Sequence, residues 1–205
     1  MKGMIKDAAI LFAITLIAGL ILGFVYNVTK EPIAQAEEKA AKEAYAEVFR
    51  AASDFREITV ETDDSYQNEW DQAGFTQVDI DKALEAVDAD GNGLGYVLTL
   101  TSHAGYGGDI TFTLGIANDG TVNGISILSI SETAGLGMKA ESVLKPQYAG
   151  KKVSSFTVTK QGATSDNQID AISGATITSN ALTTAVNGGL YYFQTKLGGV
   201  SYEAK

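Results

Sequence analysis

The sequence predicts an α+β protein: a single N-terminal transmembrane helix followed by an antiparallel-sheet domain with flanking helices. Three observations lead there. Ala8 to Tyr26 is an uncharged apolar run, residues 75 to 159 hold a series of short β-branched and aromatic segments separated by turn signals, and the chain closes on a stretch with helical apolar spacing. With 205 residues the chain has room for one ordinary domain plus an appendage.

The apolar run is nineteen residues long, which as a helix spans about 28 Å, enough for one bilayer crossing. A cleaved signal peptide is the competing reading, and Ala34-Gln35-Ala36 has the form of a cleavage site. The run exceeds the usual signal core of about 7 to 15 residues, however, and the candidate site lies beyond Pro32, so an anchor in membrane lipid is expected. Lys2 and Lys6 on one side nearly balance Lys30, Lys39 and Lys42 on the other. Because a short basic head is the easier part to retain, the expected topology is amino terminus inside and C-terminal domain extracytoplasmic.

Beyond Pro32, residues 33–52 are rich in Ala, Glu and Lys, and Ile33, Ala41, Tyr45, Val48 and Phe49 fall near one face, which predicts an amphipathic helix. Residues 53–74 are polar and acidic without a sustained period and are read as an irregular connection or short elements. Strands are expected at 75–80, 95–101, 110–117, 122–130 and 153–159, with Asn118-Asp119-Gly120 as a hairpin turn. A last helix starts near Thr178 and runs through Leu182, Val186, Leu190 and Phe193. The expected organisation is therefore a short head and membrane helix over 1–29, an amphipathic helix and connection over 30–74, and a sheet domain over 75–205.

Charge and composition exclude several functions. Residues 31–205 carry 24 acidic against 12 basic side chains, a balance of −12; such a surface repels phosphate backbones, and no binding to nucleic acid is expected. With no cysteine and one histidine, disulfides, cysteine-ligated clusters, cysteine nucleophiles and Cys/His zinc sites are ruled out. Redox chemistry here needs an organic cofactor. Asp88-Ala89-Asp90-Gly91-Asn92-Gly93 imitates the first half of a calcium loop, but Thr99 stands where the bidentate carboxylate belongs, so a turn is expected and no metal site. His103 has no partner at triad spacing and is read as a surface histidine.

Two stretches remain. Asp170-Ala171-Ile172-Ser173-Gly174-Ala175-Thr176-Ile177-Thr178-Ser179 is a small-residue turn leading into a helix, where free amides favour a phosphate and Gly174 permits close approach. An ordinary helix cap explains the same residues. Ser131-Glu132-Thr133-Ala134-Gly135-Leu136-Gly137 is, on its own, a glycine-rich loop.

The first stretch resembles the flavinylation motif D-x-x-[ST]-G-A-T-x-T of the FMN-binding domain shared by RnfG, the G subunit of the Rnf electron transport complex, and NqrC of the Na+-translocating quinone reductase. The second is similar to their H-x-E-T-P-G-L-G segment, with Ile130 at the His position and Ala134 at the Pro position. The order of membrane helix, short helix, Gly105-Tyr106-x-Gly108 strand region, E-T-x-G-L-G and S-G-A-T-x-T extends the resemblance over nearly the whole chain. It implies covalent FMN, joined by a phosphoester to Thr178 by a flavin transferase of the ApbE type. It further implies contacts from Ser173, Gly174, Ala175 and Thr176, and a ring neighbourhood of Glu132, Thr133 and Leu136. Thr164 is a partial echo and a poor acceptor. For a transferase to reach it, the Thr178 hydroxyl is expected to be exposed on a turn.

The function implied is electron relay, without a substrate site or catalytic residues of its own, among the other membrane and soluble subunits of an Rnf-type ion-translocating ferredoxin:NAD oxidoreductase. An NqrC-like subunit, a stand-alone extracytoplasmic FMN reductase and a non-redox anchored module are the alternatives.

Overall fold

The computed structural model describes residues 2–60 and 64–198. Met1 of the expected head, residues 61–63 of the expected connection and residues 199–205 of the expected domain lie outside them. The chain divides into two compact units, Met1–Lys42 and Glu43–Lys205.

The described residues of the first unit lie within helix α1 (Lys2–Val48), which passes without interruption through Pro32. The separate amphipathic helix expected after Pro32 is thus a continuation of the membrane helix. The ring removes one N–H from the ladder, but strong helix formers follow it, Ala34, Ala36, Glu37, Glu38, Lys39 and Ala40, and they sustain the helix. Among the described residues this is the one helix long and apolar enough to cross a membrane, with a mean hydropathy of 2.7 over its most apolar window. Its large apolar side chains from Met4 to Val28 are exposed. Thr15 turns its hydroxyl back onto carbonyls three and four residues earlier, which satisfies a polar group inside the apolar span, and Thr29 does the same just beyond it.

The second unit is built on a five-stranded antiparallel sheet in sequence order: β1 (Asp54–Ile58), β2 (Val78–Val87), β3 (Gly93–Ser102), β4 (Ile110–Ala117) and β5 (Val122–Ile130). The sheet thus starts before residue 75, because Asp54–Ile58 pairs with β2, and helix α2 (Asp64–Gln72) precedes that strand. The first strand expected, 75–80, is displaced to 78–87. Charged Asp81, Lys82 and Glu85 hide its period, and a register shift between Ile80 and Lys82 breaks the alternation. The turn at Asn118-Asp119-Gly120 is present, with Gly120 at φ +82° and its N–H donating to the Ala117 carbonyl. Asp88 spends its carboxylate on its own loop, accepting from the Asp90 and Asn92 amides at 2.9 and 2.8 Å.

Strand alternation gives the sheet two buried faces. Leu98, Leu100, Phe112 and Leu114 meet the closing helix α5 (Thr176–Lys196), whose Leu182, Ala185, Val186, Leu190 and Phe193 are buried. Gly189 is what allows this contact, since a Cβ there would lie 2.5 Å from Leu114 Cδ2 and 3.0 Å from Leu100 Cδ1. Each glycine in the helix interior costs about 1 kcal/mol, whereas each fully buried large apolar side chain contributes about 1.5–3 kcal/mol, so packing decides. On the other face the end of α1 closes the sheet: a Cβ on Gly115 would meet Val48, and one on Gly95 would meet Phe49. Trp70 of α2 packs against Gly188 and donates from its indole nitrogen to the Val78 carbonyl at 2.8 Å.

Between β5 and α5 lie a 3-10 turn (Gly137–Lys139), the short helices α3 (Ala140–Val143) and α4 (Lys145–Tyr148), and a two-stranded parallel pair, β6 (Thr157–Thr159) and β7 (Gln168–Asp170). The strand expected over 153–159 is reduced to three residues, and its partner β7 is too short to show a period. Helix α5 begins two residues before the expected start, at Thr176.

Candidate functional site

Three segments converge near the start of α5. The first is the loop Ala104–Gly108 between β3 and β4, the second the turn Ser131–Met138 after β5, the third the turn Ala171–Ala175 after β7.

The third segment is held from behind. Gln147 of α4 accepts from the Asp170 amide at 2.7 Å and donates to the Asp170 carbonyl at 3.1 Å, and the Ala171 amide donates to the Thr159 carbonyl. Gly174, at φ +80°, reverses the chain, a conformation that disfavours any residue with a Cβ. Ser179, fully buried, then pins the turn: its hydroxyl accepts from the Ile172 amide at 3.0 Å and donates to the Ala175 carbonyl at 2.9 Å. Behind it Thr183 donates to the Ser179 carbonyl at 2.8 Å and shares a hydrogen bond with the Tyr148 phenol at 2.7 Å. Burial pushes that phenol above its usual range, so the chain of hydroxyls stays neutral.

The helix start itself has no side-chain cap. The first intrahelical bond is from Ser179 to Ala175, which leaves the amides of Thr176, Ile177 and Thr178 without helical acceptors. The ordinary cap weighed from sequence is therefore not what the hydroxyls do: Thr176 is half-buried, and Ser173 is exposed on the far side of the reversal at Gly174.

The second segment lies against this helix start, its Gly137 beside the Thr178 side chain. Glu132, 9% exposed, accepts from the Tyr106 amide at 2.7 Å. That bond ties the first segment to the second, and glycines let them touch: a Cβ on Gly107 would collide with the Ser131 carbonyl, and one on Gly105 would lie 2.9 Å from Glu132 Oε1. Gly105 to Gly108 is thus a tight loop between β3 and β4, in the gap that the expected strands at 95–101 and 110–117 leave. Leu136 reaches across to Gly174, its Cδ2 lying 3.2 Å from where a Cβ would stand.

These surfaces enclose a cleft of about 480 Å³ lined by Glu132, Thr133, Leu136, Gly174, Ala175, Thr176 and Thr178, together with Tyr106, Gly137 and Ile177. Its size is that of a small-molecule site. Of the site residues expected from sequence, Ser173 alone stays outside it. Tyr106, Gly137 and Ile177 are additions, although all three sit inside or beside the recognised stretches; the contact between loops distant in sequence is what makes them neighbours. Lys139 is exposed and outside the lining, and Thr164 lies on a separate loop with its hydroxyl donating to Gln168 at 3.0 Å.

The expectation of an exposed acceptor is corrected. Thr178 is 1% exposed, because it is the third residue of α5 and the backbone at Gly137 lies against its side chain: a Cβ on Gly137 would come within 2.8 Å of Thr178 Oγ1.

At the root of the first segment, the His103 ring lies between Asp109, 2.9 Å from Nδ1, and Asp79, 3.0 Å from Nε2. The Asp79 and then the Asp109 carboxylates raise its pKa above the ordinary histidine value, burial opposing weakly. The surface position matches the sequence expectation, while the clamp across the loop does not follow from it.

Residues 105–190 match the family described as FMN-binding domain, and residues 1–48 match the one described as RnfG N-terminal region. The chain is 30% identical to the G subunit of the Na(+)-translocating ferredoxin:NAD(+) oxidoreductase complex of Acetobacterium woodii over 94% of its own length and 93% of the relative's. It is 30% identical to the G subunit of the ion-translocating oxidoreductase complex of Methanosarcina acetivorans, over 96% and 98%. The G subunit of the proton-translocating ferredoxin:NAD(+) oxidoreductase complex of Clostridium ljungdahlii is also 30% identical, over 95% and 97%. Among solved structures, the crystal structure of Shewanella oneidensis NqrC aligns with a TM-score of 0.47 and 21% identity over 56% of this chain and 58% of that one.

Proposed function

The chain belongs to the RnfG family, the G subunits of ion-translocating oxidoreductase complexes, and from that premise we propose that it is a membrane-anchored electron relay whose FMN is joined to Thr178 by a phosphoester. The observation that carries the attachment is the pairing of an uncapped helix start with a threonine in the lining of a ligand-sized cleft.

The residues present fit the group. A helix start whose first three amides have no helical acceptors favours a phosphate, and Gly174 and Gly137 leave space where side chains would intrude. Bound FMN supplies one- and two-electron chemistry at a potential set by the surrounding protein. Thr178 would hold the phosphoryl group, with the amides of Thr176 and Ile177 beside it. Leu136 and Tyr106 would limit water at the mouth of the cleft. Glu132 and Thr133 would place a carboxylate and a hydroxyl along its wall. No group toward a diffusible substrate is needed for relay; the donors and acceptors are the other subunits of the complex.

Helix α1 anchors the chain in membrane lipid, and the basic head would remain in the cytoplasm with residues 31–205 outside. Attachment would be made there by a flavin transferase of the ApbE type. The relay is tested in the intact complex: Thr178→Ala should abolish ferredoxin:NAD turnover while the subunit still co-purifies, and retained turnover would contradict it. Orientation is tested by protease added to spheroplasts. Cleavage within residues 31–205 before lysis is expected, and protection until lysis would place the domain on the cytoplasmic side.

A further inference from the structure

The folded domain buries the very hydroxyl that the proposed attachment requires. We infer that Thr178 is modified from an opened form in which the turn Thr133–Met138 lifts off the start of α5, and that this turn afterwards closes over the attached group. The inference rests on the covalent reading above and adds to it the gate that regulates the site.

The geometry says which side moves. The acceptor turn is fixed by Ser179 through two buried hydrogen bonds and by Gln147 through two more, so displacing it strands buried polar groups. The covering turn is bonded to itself: the Leu136 and Met138 amides donate to the Thr133 carbonyl and the Lys139 amide to that of Leu136. Among the described residues no hydrogen bond joins Thr133–Met138 to the acceptor turn. Thr133, Ala134, Gly135, Leu136 and Met138 are exposed, and Gly137 alone is buried, its backbone lying on Thr178. Both ends are secured, at Glu132 by the Tyr106 amide and at Ala140 by complete burial. A short exposed segment with self-contained bonds between two anchored ends is the part of a fold that opens at least cost. Leu136 against Gly174 is its apolar latch.

Once open, Thr178 Oγ attacks the FMN-side phosphorus of a flavin dinucleotide. The Oγ–P bond forms as the pyrophosphate P–O bond breaks, adenylate leaves with the bridging oxygen, and the hydroxyl proton passes to the departing phosphate or to water. The rate from a gated acceptor scales with the open fraction. Loosening the latch should therefore accelerate attachment, opposite to what a preformed docking site would do.

The experiment compares labelling rates, at saturating flavin dinucleotide and transferase, for the folded protein, its Leu136→Ala variant and a peptide of residues 170–179. Low urea that leaves the circular dichroism of the protein unchanged is added as a second variable. The expected result is a peptide rate above that of the folded protein, on the order of tenfold or more, with Leu136→Ala and urea each raising the protein rate relative to the peptide rate. A folded protein labelled as fast as the peptide, or slowed by both treatments, overturns the gate while leaving covalent attachment intact. Labelling of the folded protein with none of the peptide also overturns it. No label on either, with Thr178 intact, refutes the covalent reading and the gate with it.

Discussion

A threonine hydroxyl, a glycine at φ +80° and a second glycine across the cleft carry most of the proposed chemistry at the residue scale. Thr178 is placed by its turn, Gly174 makes the turn possible, and Gly137 brings the opposing backbone close. Gly174 is legible in the sequence because its turn needs a positive φ, whereas Thr178 is singled out only by the resemblance of its stretch to the family motif. The burial of Thr178 is not legible there, since it depends on Gly137, which is remote in sequence. His103 makes the same point, because its two carboxylates come from β2 and from the far end of the 104–109 loop. Asp81 also faces this cluster, its own pKa raised chiefly by burial. A folded-state histidine pKa raised above 6.5 means that its stabilising contribution is fully present below the unfolded value and is lost as pH rises through the folded one. Thermal unfolding should therefore show a decline in stability from about pH 6.5 upward, and His103→Gln should flatten it; an unchanged slope in the variant would assign the decline elsewhere.

At the element scale, the strands with clean alternation, β4 and β5, are legible with their bounds, and α5 to within two residues. Those that escape have identifiable reasons. β1 is five residues with a mostly exposed pattern, β7 is three residues, and β2 carries charges on a strand whose register shifts. Their pairing partners, rather than their own sequences, make them strands. Pro32 misleads for a different reason: the missing N–H is one bond in a helix of 47 residues, and formers on both sides keep the rest. The glycine pair in α5 reads as helix-weakening by propensity, yet Gly189 allows the close approach on which the core depends. Placing the start of α5 next to the E-T-A-G-L-G turn is what the sheet and this helix accomplish together, and that positioning creates the cleft.

At the scale of the whole molecule, an apolar helix and an acidic body divide the work. The helix confines the protein to the membrane, and the body, with its balance of −12 over residues 31–205, presents a ligand-sized cleft built around the family motif. On the proposed reading, a cofactor fixed covalently would not be lost by dilution, which would suit a relay between subunits of one complex. Whether Thr178 bears the FMN is decided by peptide mapping with mass spectrometry on protein purified from its own membrane and denatured before digestion. One peptide spanning residues 170–179 is expected, fluorescent after denaturation, with the phosphoryl flavin on Thr178. Modification mapped to Thr176, Ser173 or Thr164, or flavin released on denaturation with Thr178 unmodified, would contradict that assignment.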